Sequence, residues 1–191
     1  MKKVKTILAA FICIALVVGF YYYLSHRQPG GVEDTKKISE VTEVLSKNLD
    51  TSYPATPREV IKYYNRLLVC FYNEEYTDEE YDGMVEKMRG LMDSELLENN
   101  PYNSYSASLQ SDIEAYRQEE KIITSTDVCE SGEVEFATVN GDKCAYVTVS
   151  YYTKSKKAYS RTNQEFVLRK DEKGNWKIVG FKLLGGEGQD E

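Results

Sequence analysis

The chain has 191 residues, 41% apolar and 29% charged, a balance that excludes an intrinsically disordered chain and fits one domain plus an appendage. Its formal charge is −7; setting aside Lys2, Lys3 and Lys5 leaves 21 of the 24 basic residues against 31 acidic ones, or −10 for the rest. A surface of that sign repels phosphate backbones, so nucleic acid is not an expected partner.

The chain opens with three lysines and then runs from Thr6 to Leu24 without a charge. As a helix this stretch is about 28 Å long, close to one hydrocarbon thickness. Tyr21, Tyr22 and Tyr23 stand where an interfacial aromatic belt lies. A cleaved secretory signal ends in small residues, whereas this run ends in tyrosines, leucine and the basic pair His26-Arg27. A lipoprotein signal needs small residues before its cysteine, and Cys13 follows Phe11 and Ile12. The reading is a signal-anchor over residues 1–25, with Thr6–Leu24 in a lipid bilayer. The lysines hold the N-terminus in the cytoplasm and place the C-terminal domain outside the cell membrane. His26, the single histidine, is a linker residue.

Residues 26–53 read as a linker or stalk, broken by Pro29 and Gly30-Gly31. Part of it is helical in pattern, through Ile38, Val41, Val44, Leu45 and Leu49. The main domain is expected over 54–184. "TPREVIKYYNRLLVCFYN" carries a capping box, Thr56 with Glu59, and Pro57 in the first helical position. Val60, Tyr64, Leu67, Leu68 and Phe71 form its apolar face. "YTDEEYDGMVEKMRGLMDSELL" repeats the device with Thr77 and Glu80. Gly83 and Gly90 each weaken that helix by nearly 1 kcal/mol relative to alanine, or allow close packing. Pro101 breaks the chain, and Leu109, Ile113 and Tyr116 mark a third helical face.

After Lys121 the period changes to two. "KIITSTDVCESGEVEFATV" is strand-like, with a bulge or bend at Glu130–Gly132. Asn140-Gly141 marks a hairpin. "CAYVTVSYYTK" puts Ala145, Val147, Val149 and Tyr151 on one face, and "YSRTNQEFVLRK" sends Phe166 and Leu168 inward. In "GNWKIVGFKL", Trp176 and Ile178 point one way and Val179 and Phe181 the other. The expected fold is α+β: helices covering an antiparallel sheet of about four strands, with residues 185–191 as a flexible acidic tail.

"TPREVIKYYNRLL", "NGDKCAYVTVSYY" and "GNWKIVGFKL", in that order, resemble the NTF2-like (cystatin-like, SnoaL-like) fold. That resemblance implies helices packed into the concave side of a curved sheet that forms a cone. With the anchor, the "YPATPREV" entry and the "LLENNPY" break, the chain is similar to an uncharacterised family of membrane-anchored proteins from anaerobic Gram-positive bacteria. Enzymes of the NTF2-like fold keep a carboxylate or histidine in the cone, while other members are non-catalytic extracytoplasmic modules.

No nucleophile–base motif, phosphate-cradling loop or nucleotide fingerprint is present, and no cofactor is expected. Glu133, Glu135 and Glu165 are the strand carboxylates that a pocket would use as a base, the alternative being a solvated face. Glu74, Glu75 and Asp78 belong to an acidic run that offers oxygens to a cation but lacks the EF-hand spacing. Such acids also suit a helix start. Cys129 and Cys144 form a disulfide only if the bend at Glu130–Gly132 folds back; otherwise Cys70, Cys129 and Cys144 are free thiols. The function read from these residues is a membrane-anchored extracytoplasmic binding or assembly module without catalytic activity. An envelope protein or small ligand is its partner. The alternative is a small-molecule binder or enzyme using an acid in the cone pocket.

Overall fold

In the computed structural model the described residues are 39–185. They form five helices: α1 (Glu40–Ser46), α2 (Pro57–Asn73), α3 (Asp78–Arg89), α4 (Ser94–Asn99) and α5 (Tyr102–Gln118). Five strands follow: β1 (Ile122–Val128), β2 (Glu135–Val139), β3 (Asp142–Lys154), β4 (Tyr159–Lys170) and β5 (Trp176–Leu184).

Local chemistry sets most boundaries. The Thr56 hydroxyl accepts from the Glu59 N–H at 3.2 Å, and the Glu59 carboxylate accepts from the Thr56 N–H at 3.2 Å. Thr77 and Glu80 make the same exchange at the head of α3. The helix expected to continue through Gly90 stops at Arg89, and Asp93 caps the separate α4 by accepting from the Glu95 N–H at 3.0 Å. Asn140 and Gly141 both adopt positive φ, 53° and 95°, which a two-residue hairpin of type I′ requires.

The sheet has the order β1-β3-β4-β5, with β2 also paired to β3. The interruption at Ser131–Glu133 is a 3-10 turn that divides one expected strand into two. β1 lies along the second half of β3, and β2 along the first half. The sheet is open and does not close into an NTF2-like cone, which corrects the expected architecture; the strands number five, not four.

α2 lies on the sheet, touching β1, β3 and β5. Val60, Ile61, Leu67 and Phe71 from α2 are buried with Val147, Val149, Phe166 and Leu168 from the strands. Burying one such side chain contributes about 1.5–3 kcal/mol. α1 belongs to the same core: Val41 and Val44 are buried, and the Tyr63 hydroxyl donates to the Val44 carbonyl at 2.7 Å. Gly83 and Gly90 allow the close approach of this segment, since a Cβ there would stand 3.0 Å from Leu45 and 3.1 Å from Leu49.

A buried polar pair crosses this core. The Tyr151 hydroxyl donates to the Asn65 Oδ1 at 2.7 Å, while the Asn65 amide nitrogen has no partner among the described residues. Tyr151→Phe strands the whole Asn65 amide and is expected to cost about 1–3 kcal/mol. Adding Asn65→Leu should recover much of that loss in urea unfolding of the double variant. Equal losses for the single and double variants would show that the pair is not coupled.

Among the described residues no helix is long and apolar enough to cross a membrane. The longest, α2 and α5, have 17 residues each and carry charges such as Arg58, Lys62, Asp112 and Glu114. The expected span Thr6–Leu24 lies outside the described residues, as do residues 26–38 of the linker and the tail from 186. This corrects the single-pass topology, the bilayer partner and the extracellular placement, which no described element carries.

Candidate functional site

β5 departs from strict alternation. Leu168 pairs with Ile178 and Val167 with Gly180, so Val179 is the extra residue of a bulge. The slip carries Phe181, paired with Phe166, onto the helix-facing side that Ile178 already occupies. Simple alternation puts these two on opposite faces. Phe181 is 54% exposed and Leu183 66% exposed.

Among the described residues, the outer edge of β5 is covered over its first half. Leu91–Asp93 runs parallel to it: the Ile178 N–H donates to the Leu91 carbonyl, and the Asp93 N–H to the Ile178 carbonyl, both at 2.8 Å. This segment is held by a bidentate pair. Arg169 donates to the two Asp93 oxygens at 2.6 and 3.2 Å, with Glu95 at 3.3 Å. Burial pushes the Asp93 carboxyl up, but the hydrogen bonds from Arg169 and the Glu95 N–H, with the charges of Arg169 and Lys177, bring it below its ordinary value. Among the described residues, no backbone hydrogen bond reaches Gly180–Leu184 from outside β4.

The opposite side of the sheet is capped at one residue of β1, while β2 pairs only with β3 and carries exposed Phe136 along an outer edge that no other described segment pairs. The Asn73 amide donates to the Ile123 carbonyl at 2.7 Å and accepts from the Ile123 N–H at 3.0 Å, so one side chain imitates a neighbouring strand on β1. Unpaired edges invite strand addition, and such caps prevent it. Among the described residues, nothing of this kind caps the second half of β5.

Phe181 also lies at one end of a cleft of about 460 Å³ between α5, α2 and the sheet. Tyr64, Tyr72, Tyr105, Tyr116 and Gln164 line it. The Tyr72 and Tyr116 rings pack 4.2 Å apart, and the Lys121 ammonium sits 4.5 Å from the Tyr116 ring centre. Burial pushes the Tyr64 hydroxyl up to about 12 and raises Tyr72, Tyr105 and Tyr151 as well. At neutral pH these hydroxyls therefore stay protonated. The cleft offers aromatic faces and hydrogen-bond donors beside an open strand edge.

The carboxylates singled out in the sequence do not meet in this cleft. Glu133 accepts from the Glu130 N–H at 2.7 Å in the 3-10 turn. Glu135 is exposed on β2 opposite Tyr146. Glu165 pairs with Lys182 at 2.7 Å, on the sheet face opposite Phe166. Glu74 ends α2 and Asp78 starts α3, with Glu75 exposed between them. Among the described residues, no group of three or more His, Cys, Asp or Glu side chains is placed to hold a metal ion.

Cys70, Cys129 and Cys144 are free thiols. Cys144 stands opposite Ala137, while the Cys129 N–H donates to the Thr148 carbonyl at 2.9 Å. Four residues of β3 separate those positions, about 13 Å of strand, against the roughly 7 Å limit between disulfide Cα atoms. Burial pushes the Cys70 thiol up to about 12.

The fold and edge together define an α+β domain with a half-capped sheet. The chain matches, over residues 1–181, the family described as Domain of unknown function (DUF6715), and it belongs to that family. No curated protein matches it. The family replaces the resemblance to NTF2-like domains and to membrane-anchored proteins of anaerobic Gram-positive bacteria. The function drawn from that resemblance is corrected with it. Nothing among the described residues anchors the domain in a membrane or marks an envelope partner or small ligand, and none of Glu133, Glu135 and Glu165 lines the cleft.

Proposed function

We propose that this domain docks a polypeptide by strand addition along Gly180–Leu184. The carrying observation is the half-covered edge: Leu91–Asp93 occupies the first half of β5, and in the second half no other described segment pairs the backbone beside exposed Phe181 and Leu183. In strand addition the main chain supplies affinity and alternate side chains supply specificity. The adjoining aromatic cleft suits those side chains.

Selection of displayed random peptides on the full chain tests the reading. Enriched peptides should be extended and rich in β-branched or aromatic residues. Their binding should fall at least tenfold on Phe181→Lys/Leu183→Lys. Both substitutions are at exposed positions, where each should cost less than about 1 kcal/mol. Peptides that bind the variant as well as the native chain, or no enrichment at all, would overturn the reading.

A further inference from the structure

We infer that the polypeptide added to β5 is basic, and that one of its cationic side chains, arginine above all, enters the tyrosine cleft beside Phe181. The inference rests on the strand-addition reading and names the chemistry of the partner.

The cleft is built from two helix faces. Tyr64 and Tyr72 on α2, and Tyr105, Asp112 and Tyr116 on α5, each keep the spacing of one face of a helix, and all five line the cleft. On an added strand, the residue opposite Phe181 shares its face of the sheet at about 5 Å. Its side chain therefore starts beside the cleft, and a long unbranched stem with a charged head suits the reach to the rings.

Ring chemistry and charge together select a cation. The face of an aromatic ring attracts positive charge, and a guanidinium also stacks flat upon it. The chain already uses two of these rings in this way. The Lys121 ammonium sits 4.5 Å from the Tyr116 ring centre, and the Arg89 guanidinium 5.5 Å from that of Tyr105. Among the described residues no cation stacks on Tyr64 or Tyr72. Asp112 is exposed and forms no ion pair among the described residues, and its charge reaches the Tyr72 hydroxyl.

A carboxylate anchor would meet Asp112 and the field of an acidic domain. Ser39–Gly185 contains 18 basic and 26 acidic residues, a formal charge of −8, which draws in basic chains and repels acidic ones. Lys182, on the opposite face of β5, is matched by Glu165 at 2.7 Å and so adds little repulsion. An uncharged aromatic anchor would fill the same space but gain nothing from Asp112. Charge at the anchor is thus the property that separates the occupants.

Selection of displayed random peptides on the full chain, followed by synthetic peptides of the enriched sequences, tests the inference. Enriched peptides should share one Arg or Lys at a fixed place in the extended segment. Replacing that residue by Met, which keeps the length and removes the charge, should weaken binding about tenfold. Asp112→Asn should weaken the basic peptide several-fold and the Met peptide by less than about twofold. On the unaltered chain, raising the salt from about 50 to about 500 mM should loosen the basic peptide and spare the Met peptide. Enriched peptides with no basic residue in common would overturn the inference, as would a Met peptide that binds equally well. An Asp112→Asn effect, or a salt effect, that is equal for both peptides would overturn it too. If peptides without a basic anchor still lose binding on Phe181→Lys/Leu183→Lys, strand addition stands and only the cationic anchor falls. If no peptide is enriched, both fall.

Discussion

Replacing Phe166 with alanine should lower the free energy of unfolding by about 3–5 kcal/mol, the cost of emptying a buried aromatic site. Phe166 is 1% exposed and sits at the junction between core and candidate site. Its ring meets Tyr64 edge-on at 5.4 Å and Phe181 at 5.5 Å. The vacancy would lie under both the α2 contact and the cleft, and neither rigid neighbour can collapse into it without leaving its own partners. A domain of this size loses roughly 2–4 °C of melting temperature per kcal/mol, so a fall near 10 °C accompanies the shift in urea midpoint. Phe181→Ala is the control: it removes a ring of the same size from an exposed position and should cost less than about 1 kcal/mol. Equal losses at the two positions would mean that the core does not end where the structure places its edge.

Asp93→Ala is expected to cost about 2–3 kcal/mol. Breaking one side of a buried ion pair costs 3–5 kcal/mol. Here the loss falls below that range because Arg169 is 27% exposed and keeps Glu95 and Asp142 nearby. The removed side chain also caps α4 and steadies the segment that covers β5. The pH dependence has a definite sign. The folded Asp93 carboxyl titrates below its ordinary value, so the unfolded chain binds a proton first as pH falls. Its stabilisation is complete at neutral pH, begins to fade near the unfolded value of about 3.9, and is lost as pH drops through the folded value. Urea unfolding of native protein and Asp93→Asn between pH 7 and pH 2.5 should converge toward acid. A gap that stays constant across that range would show that Asp93 acts through shape and capping alone.

Helix starts and the tight hairpin were legible in the sequence because they rest on contacts three or four residues apart. Thr56 with Glu59, Thr77 with Glu80, and Asn140-Gly141 each settle their own geometry. Alternation along β3 likewise fixed its buried face, since Ala145, Val147, Val149 and Tyr151 are all buried. The break between α3 and α4 was not legible, because Leu91–Asp93 leaves the helix to pair with Ile178. Nor was the side on which Phe181 emerges: a single bulge residue, Val179, reverses parity, and β4 sets its position. Arg169 with Asp93, and Asn73 with Ile123, join residues 76 and 50 positions apart. Alone, each reads as a surface charge or a helix end. The sequence by itself determined the helix starts, the hairpin and the buried face of β3, where near neighbours carry the geometry. Only the tertiary structure decided which stretches of edge the described residues cap, because an edge is defined by which distant segments lie along it.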